Sequence, residues 1–401
     1  MERIPRVITM RSNRVLVVID TLEVGGTEKS LLEIIRRFKT TRATVCHLFE
    51  GDSLKPEYER HGIEVISMNE RGSHLSIAGC SRLNQLVRRT EPQVIHASLY
   101  RASILSRVVS RVTGTPLVDS LVNDSYGAVR YAGLKTSRRA KLRAVRLLDR
   151  ATAPLADVFV ANSGAIAESN RRALGIPASR IRVIHRGRDP LALEVAEHLV
   201  HEVRSELTIG EDRLILNVAR LRERKGQREL VQAMAEINRS HPHSKLVIAG
   251  EGPFRGELEG LRDRLDLRGH VELLGRRHDV PALLGAADVF VFPSHYEGLP
   301  GALLEAMFAG LPIVASDIPV HRECLEHGVS GRLFPLEAPE AIAAAVCWVL
   351  EHPEEAKRMG RNAQRVANER FHIDQVALKH EALYDELINT KSGMHEDIAA
   401  D

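Results

Sequence analysis

The chain has 401 residues, 44% of them hydrophobic and 27% charged, with 56 Lys and Arg against 53 Asp and Glu and a formal charge of +3. That length exceeds one ordinary core and predicts two or three domains, while the composition is that of a globular protein and excludes disordered or collagen-like chains. The near-neutral balance excludes wholesale coating of nucleic acid, no apolar run approaches the ~20 residues of a membrane span, and Cys46, Cys80, Cys324 and Cys347 lack ligand spacing and read as reduced thiols rather than disulfides or zinc ligands.

Arg3, Arg6, Arg11 and Arg14 precede the apolar stretch Val15 to Ile19, which Asp20 ends. The stretch is too short for a signal segment and reads as a first strand. Further runs, most of them rich in Val and Ile, predict strands at 44–49, 64–67, 93–97, 116–122 and 157–161, and a second series at 213–218, 245–249, 271–274, 288–292 and 312–315. Helical patterns separate them. Nearly continuous apolar strands alternating with helices predict parallel sheets covered on both faces, and two such series predict two Rossmann-like, doubly wound α/β domains. The joint lies near Ile184-His185-Arg186-Gly187-Arg188-Asp189-Pro190, where a strand-like run ends in Gly and Pro, and a helical stretch follows at 191–207. A last helical pattern carries Val376, Leu383, Tyr384 and Leu387, and a polar tail from 391 to 401 is expected to be loose.

Open α/β sheets bind ligands beyond the carboxyl ends of their strands, so the loops there are the candidate site. After the first strand, Gly25-Gly26-Thr27-Glu28 allows close backbone approach, and the helix behind it favours an anion; a plain tight turn reads equally well, and the dinucleotide spacing is absent. In the loop opening at Asn217, Arg220 and Lys225 sit where two cations can neutralise a diphosphate. Next comes Gly250-Glu251-Gly252-Pro253, a loop that shapes a nucleotide site. In the segment 293–310, Pro300 suits the first turn of a helix and Gly310 its end. Glu297 then lies just ahead of the helix and Glu305 halfway along it, with backbone N–H groups from Gly298 to Gly301 facing the same place as Glu297. No Asp-x-Asp motif for a divalent ion is present.

In order and placement, these segments resemble the retaining GT-B glycosyltransferases of family 4, over nearly the whole chain. The resemblance rests on the Gly25-Gly26 loop, the Arg220…Lys225-Gly226 pair, the Gly250…Gly252 loop and the pair Glu297 and Glu305. It implies two Rossmann-like domains facing a central cleft: an acceptor-binding domain at 1–188, a nucleotide-sugar domain at 189–370, and a helix with its tail at 371–401 crossing back to the first domain. It implies that Arg220 and Lys225 bind the donor diphosphate, that Glu297 with Gly298 and Leu299 contacts the transferred sugar, and that Glu305 accepts from the ribose hydroxyls. Gly25 and Gly26 would let the first domain close on the phosphates and help form the acceptor side, Gly252 would belong to the donor-binding set, and no metal or other cofactor would be required. Where the family commonly places a His near the sugar, this chain has Asn123, which can hydrogen-bond but not titrate; His96 matches another family His, although a strand-end His is more often structural.

The expected partners are a nucleotide-sugar donor and a glycan or lipid-linked acceptor, with no nucleic acid, in the cytoplasm or at the inner face of a membrane. Between 130 and 150 eight cations, from Arg130 to Arg150, meet the lone acid Asp149, with Leu134, Leu142, Val145 and Leu148 interspersed. That pattern fits a helix resting on an anionic membrane and equally a solvated helix packed on the sheet. A nucleotide-sugar epimerase of similar fold and a non-catalytic nucleotide-sugar binding protein stand as alternatives.

Overall fold

A computed structural model describes residues 12–70, 76–131 and 135–399. Arg3, Arg6, Arg11 and Leu134 lie outside these residues. The chain forms two compact units, residues 1–186 with 373–401, and residues 187–372.

The first unit holds a seven-stranded sheet: β1 (Asn13–Ile19), β2 (Thr41–Phe49), β3 (Glu64–Glu70), β4 (Val94–Ser98), β5 (Leu117–Leu121), β6 (Val158–Ala161) and β7 (Ile181–Val183), in the order β3-β2-β1-β4-β5-β6-β7. Every pairing is parallel. Both faces of β1 are covered, as its unbroken apolar run requires: Val15, Val17 and Ile19 join Leu31, Leu32 and Ile35 of the helix Gly26–Ile35, whereas Leu16 and Val18 join Leu83, Leu86 and Leu105. The final helix, Ile373–Ala399, belongs to this unit, with Val376, Leu383 and Tyr384 in the same cluster as Leu32. It corrects the expectation of a loose tail from 391: the helix continues to Ala399 because no Pro interrupts that polar stretch.

The second unit holds β8 (Arg213–Val218), β9 (Ser244–Ala249), β10 (Val271–Gly275), β11 (Val289–Phe292), β12 (Ile313–Ser316) and β13 (Arg332–Phe334), in the order β10-β9-β8-β11-β12-β13, again all parallel. The sheet reverses direction of growth between β8 and β11, the switch point beyond which such sheets bind ligands. The three-residue β13 is absent from the sequence reading because it is too short to show a period.

Two other expectations change. The stretch 191–207 is a 3₁₀ turn at Leu191–Leu193 and a separate helix at Glu197–Glu206. Between them the chain is extended so that Val195 packs on Gly285, where an added Cβ would lie 3.1 Å from it. The helix after β11 spans Gly301–Phe308, with Pro300 as its N-cap rather than inside its first turn. Gly310 then takes φ +69°, the left-handed stop anticipated there.

Candidate functional site

In the second unit, three loops beyond strand ends pack together through their glycines. Gly226 has φ +68°, and a Cβ on it would lie 2.0 Å from the Pro293 carbonyl oxygen in the loop after β11. A Cβ on Gly250 would lie 1.9 Å from the Ala219 carbonyl oxygen, and one on Gly252 2.2 Å from that of Leu221. Backbone approaching backbone, rather than open room, is thus what Gly226, Gly250 and Gly252 supply. Asn217, fully buried at the end of β8, donates to the Val291 carbonyl at 2.8 Å and ties the first of these loops to β11.

This packing delivers Lys225 directly to Glu297, 72 positions away, where its ammonium donates to a carboxylate oxygen. Both side chains are close to fully buried, and Arg224 stands 3.8 Å from the other oxygen of Glu297. The Arg224 guanidinium also lies 4.9 Å from the centre of the Tyr296 ring, a cation–π contact. Burial pushes the Glu297 carboxyl up, but the charges of Lys225 and Arg224 and the hydrogen bond from Lys225 more than reverse this, leaving it below the usual carboxylate range. Burial brings the Lys225 ammonium down against the opposing pull of Glu297, and Arg224 and Arg220 push the same way as burial. Arg220 is exposed, so of the two cations expected at the diphosphate one is buried and the other faces solvent. Beneath them His321 is fully buried, its Nδ1 donating to the Ser316 carbonyl at 2.8 Å, and burial lowers its pKa to about 4.

Glu305 points elsewhere. Its carboxylate accepts from Arg188 Nε at 2.7 Å. Arg188 Nη1 donates to the Gly187 carbonyl at 2.9 Å, and Nη2 lies 1.7 Å from where a Cβ on Gly301 would stand, so the guanidinium rests on the first residue of the helix Gly301–Phe308. Arg188 lies within the joint between the two strand series, and nothing in its sequence context or that of Arg224 marks either as a site residue. Leu299 is buried, and Gly298 is half-buried beside Glu297.

In the first unit, Gly25 caps the helix Gly26–Ile35 in an extended conformation. A Cβ on Gly25 would lie 2.0 Å from a Glu28 carboxylate oxygen, so the acid at the third helical position folds back over the turn. The negative charge at this helix end is therefore the protein's own. His96 is buried, with Nδ1 2.6 Å from the Tyr384 hydroxyl and Nε2 2.7 Å from that of Ser120; burial and His380 bring its pKa down to about 3. His96 lines a cavity with Thr27, Asn162 and Arg186, whereas exposed Asn123 lines another with Asp20, Tyr100 and Tyr126. The structure brings Lys225 and Glu297 together, and the cavities lined by His96 and by Asn123 share Ser120 and Val122.

The cationic segment from 130 to 150 is two helices, Ala128–Tyr131 and Thr136–Thr152. Its lone acid is the buried member: Asp149 accepts from Arg107 Nη1 at 2.6 Å, and Arg107 also pairs with Asp119 at 2.7 Å inside the core. Leu142 and Val145 pack against the core, whereas Leu148 is exposed. Among the described residues no group of His, Cys, Asp or Glu could hold a metal ion, and no helix is long and apolar enough to cross a membrane.

Comparison with known proteins matches residues 24–190 to Glycosyltransferase Family 4 and residues 201–366 to Glycosyl transferases group 1. The chain is 27% identical over 306 residues to the alpha-D-kanosaminyltransferase of Streptomyces kanamyceticus, covering 71% of this chain and 74% of that one. It is 26% identical over 313 residues to the UDP-Gal:alpha-D-GlcNAc-diphosphoundecaprenol alpha-1,3-galactosyltransferase of Escherichia coli, covering 77% and 79%. The fold is that of Anabaena HepE, solved in complex with UDP, with a TM-score of 0.82 at 24% identity over 93% of this chain and 100% of that one.

Proposed function

The chain belongs to the group 1 glycosyltransferases of GT-B fold, enzymes acting on nucleotide sugars, and from that membership we propose that it transfers a sugar, with retention, to a glycan or lipid-linked acceptor. The observation that carries the site assignment is the buried Lys225–Glu297 pair in the loops beyond β8 and β11. Glu297 holds hydroxyls of the transferred sugar, with Gly298 and Leu299 beside it. Lys225 and Arg220 neutralise the leaving diphosphate as the sugar gains oxocarbenium character, with no metal needed for that charge. Glu305 takes the ribose. The acceptor oxygen attacks on the face from which the diphosphate departs: the new C–O bond forms as the anomeric C–O bond breaks, and a leaving phosphate oxygen takes the acceptor proton. The E. coli relative, named for galactosyl transfer to a diphosphoundecaprenol-linked sugar, supports a lipid-linked acceptor presented at the cytoplasmic membrane face.

A panel of UDP-, GDP- and ADP-sugars followed by thermal shift tests the reading. The true donor raises the melting temperature by mass action and supports transfer in the presence of EDTA. Lys225→Ala folds but loses transfer; near-normal transfer by this variant refutes the site assignment.

A further inference from the structure

Arg188 is the one guanidinium of the second unit that contacts both Glu305 and the start of the helix Gly301–Phe308 among the contacts described above. Its backbone is fixed, since its N–H donates to the Phe371 carbonyl at 2.9 Å and it bridges to His372. A side chain delivered from so firm a base loses little freedom when it engages a ligand. Nε holds one oxygen of Glu305, and Nη1 holds the Gly187 carbonyl. Nη2 remains over Gly301, in a position that only a glycine permits. A cation against the positive end of a helix is an unfavourable neighbour, and an anion shared between the two relieves it.

Resting on the donor-site reading above, we propose that Arg188 is a further donor-binding residue, which fixes Glu305 for the ribose with Nε and contacts the donor diphosphate with Nη2. One residue would then set the spacing between sugar-ring and phosphate recognition on the nucleotide. Because Nε occupies one Glu305 oxygen, the other remains for a ribose hydroxyl.

The test is calorimetric titration of the full chain with UDP, GDP and ADP, then of the tightest of these, its monophosphate and its nucleoside with Arg188→Ala and Arg188→Gln. The glutamine variant keeps a donor toward Glu305 but drops the charge. It should bind the nucleoside as the wild type does and lose about tenfold or more for the diphosphate, the scale of one charge-assisted hydrogen bond. Arg188→Ala should weaken both, the diphosphate more. Wild-type affinity for the diphosphate in a folded Arg188→Gln protein, or an equal loss for nucleoside and diphosphate, overturns the proposal. If none of the three nucleotides binds the wild type, the donor-site reading fails, and this proposal with it.

Discussion

A buried carboxylate among cations makes a pH-dependent contribution whose sign can be worked out. The Glu297 carboxyl is lowered: burial alone would raise it, and Lys225 with Arg224 reverses that. A depressed folded-state pKa gives stability that is fully present above the ordinary value of about 4.3 and is lost as pH falls through the lowered one. Glu297→Gln leaves Lys225 buried without its counter-charge, a change expected to cost about 3 kcal/mol at pH 7. The deficit should shrink from pH 5 downward as the wild-type carboxyl takes its proton. Thermal scans of both proteins from neutral to acid pH check this, and a deficit that does not vary with pH contradicts the assignment. The sequence marks Glu297 and Lys225 separately, as a sugar contact and a phosphate contact, because linear spacing says nothing of two loops meeting. Arg188 is not legible as a site residue for the same reason: its partner Glu305 lies 117 positions away.

At the scale of elements, glycines join the loops that carry these side chains. Gly226→Ala places a Cβ 2.0 Å from the Pro293 carbonyl oxygen at a left-handed φ of +68°, so the loop bearing Lys225 must shift. The expected loss is about 1–3 kcal/mol, with transfer falling in step as Lys225 moves off Glu297. Gly256, in the helix Arg255–Arg264 with nothing within 4 Å of its added Cβ, is the control. Gly256→Ala should stabilise by about 0.5–1 kcal/mol through helix propensity alone. Denaturant unfolding of the pair measures both, and equal effects would refute the close-packing account. The glycines of these loops are visible in sequence, where they read as room for a ligand. Only the packed structure shows that a neighbouring carbonyl fills the room at Gly226, Gly250 and Gly252. The same holds at Gly25, where Glu28 folds over the turn.

At the scale of the whole molecule, the helix Thr136–Thr152 combines exposed Leu147 and Leu148 with exposed Arg143 and Arg150, while Asp149 is withdrawn into the core against Arg107. An outward face of cations and two leucines should bind anionic bilayers at low salt and release them as salt screens the charges. Flotation with phosphatidylcholine vesicles, with and without phosphatidylglycerol, reads this directly: absence of binding to the anionic vesicles at low salt sinks it, and Arg143→Glu with Arg150→Glu should abolish it. The two parallel sheets, their strands and the loops beyond strand ends follow from the sequence alone, because apolar runs alternating with helical patterns have few other ways to be covered. The family follows from it too, through motifs that keep their order between those strands. Tertiary structure alone decided which charges meet: Lys225 with Glu297, Arg188 with Glu305, and Arg107 with Asp119 and Asp149. The partners lie 12 to 117 positions apart in the chain yet adjacent in space, and side-chain periodicity carries information about the face a residue occupies, not about the partner that the fold brings to it.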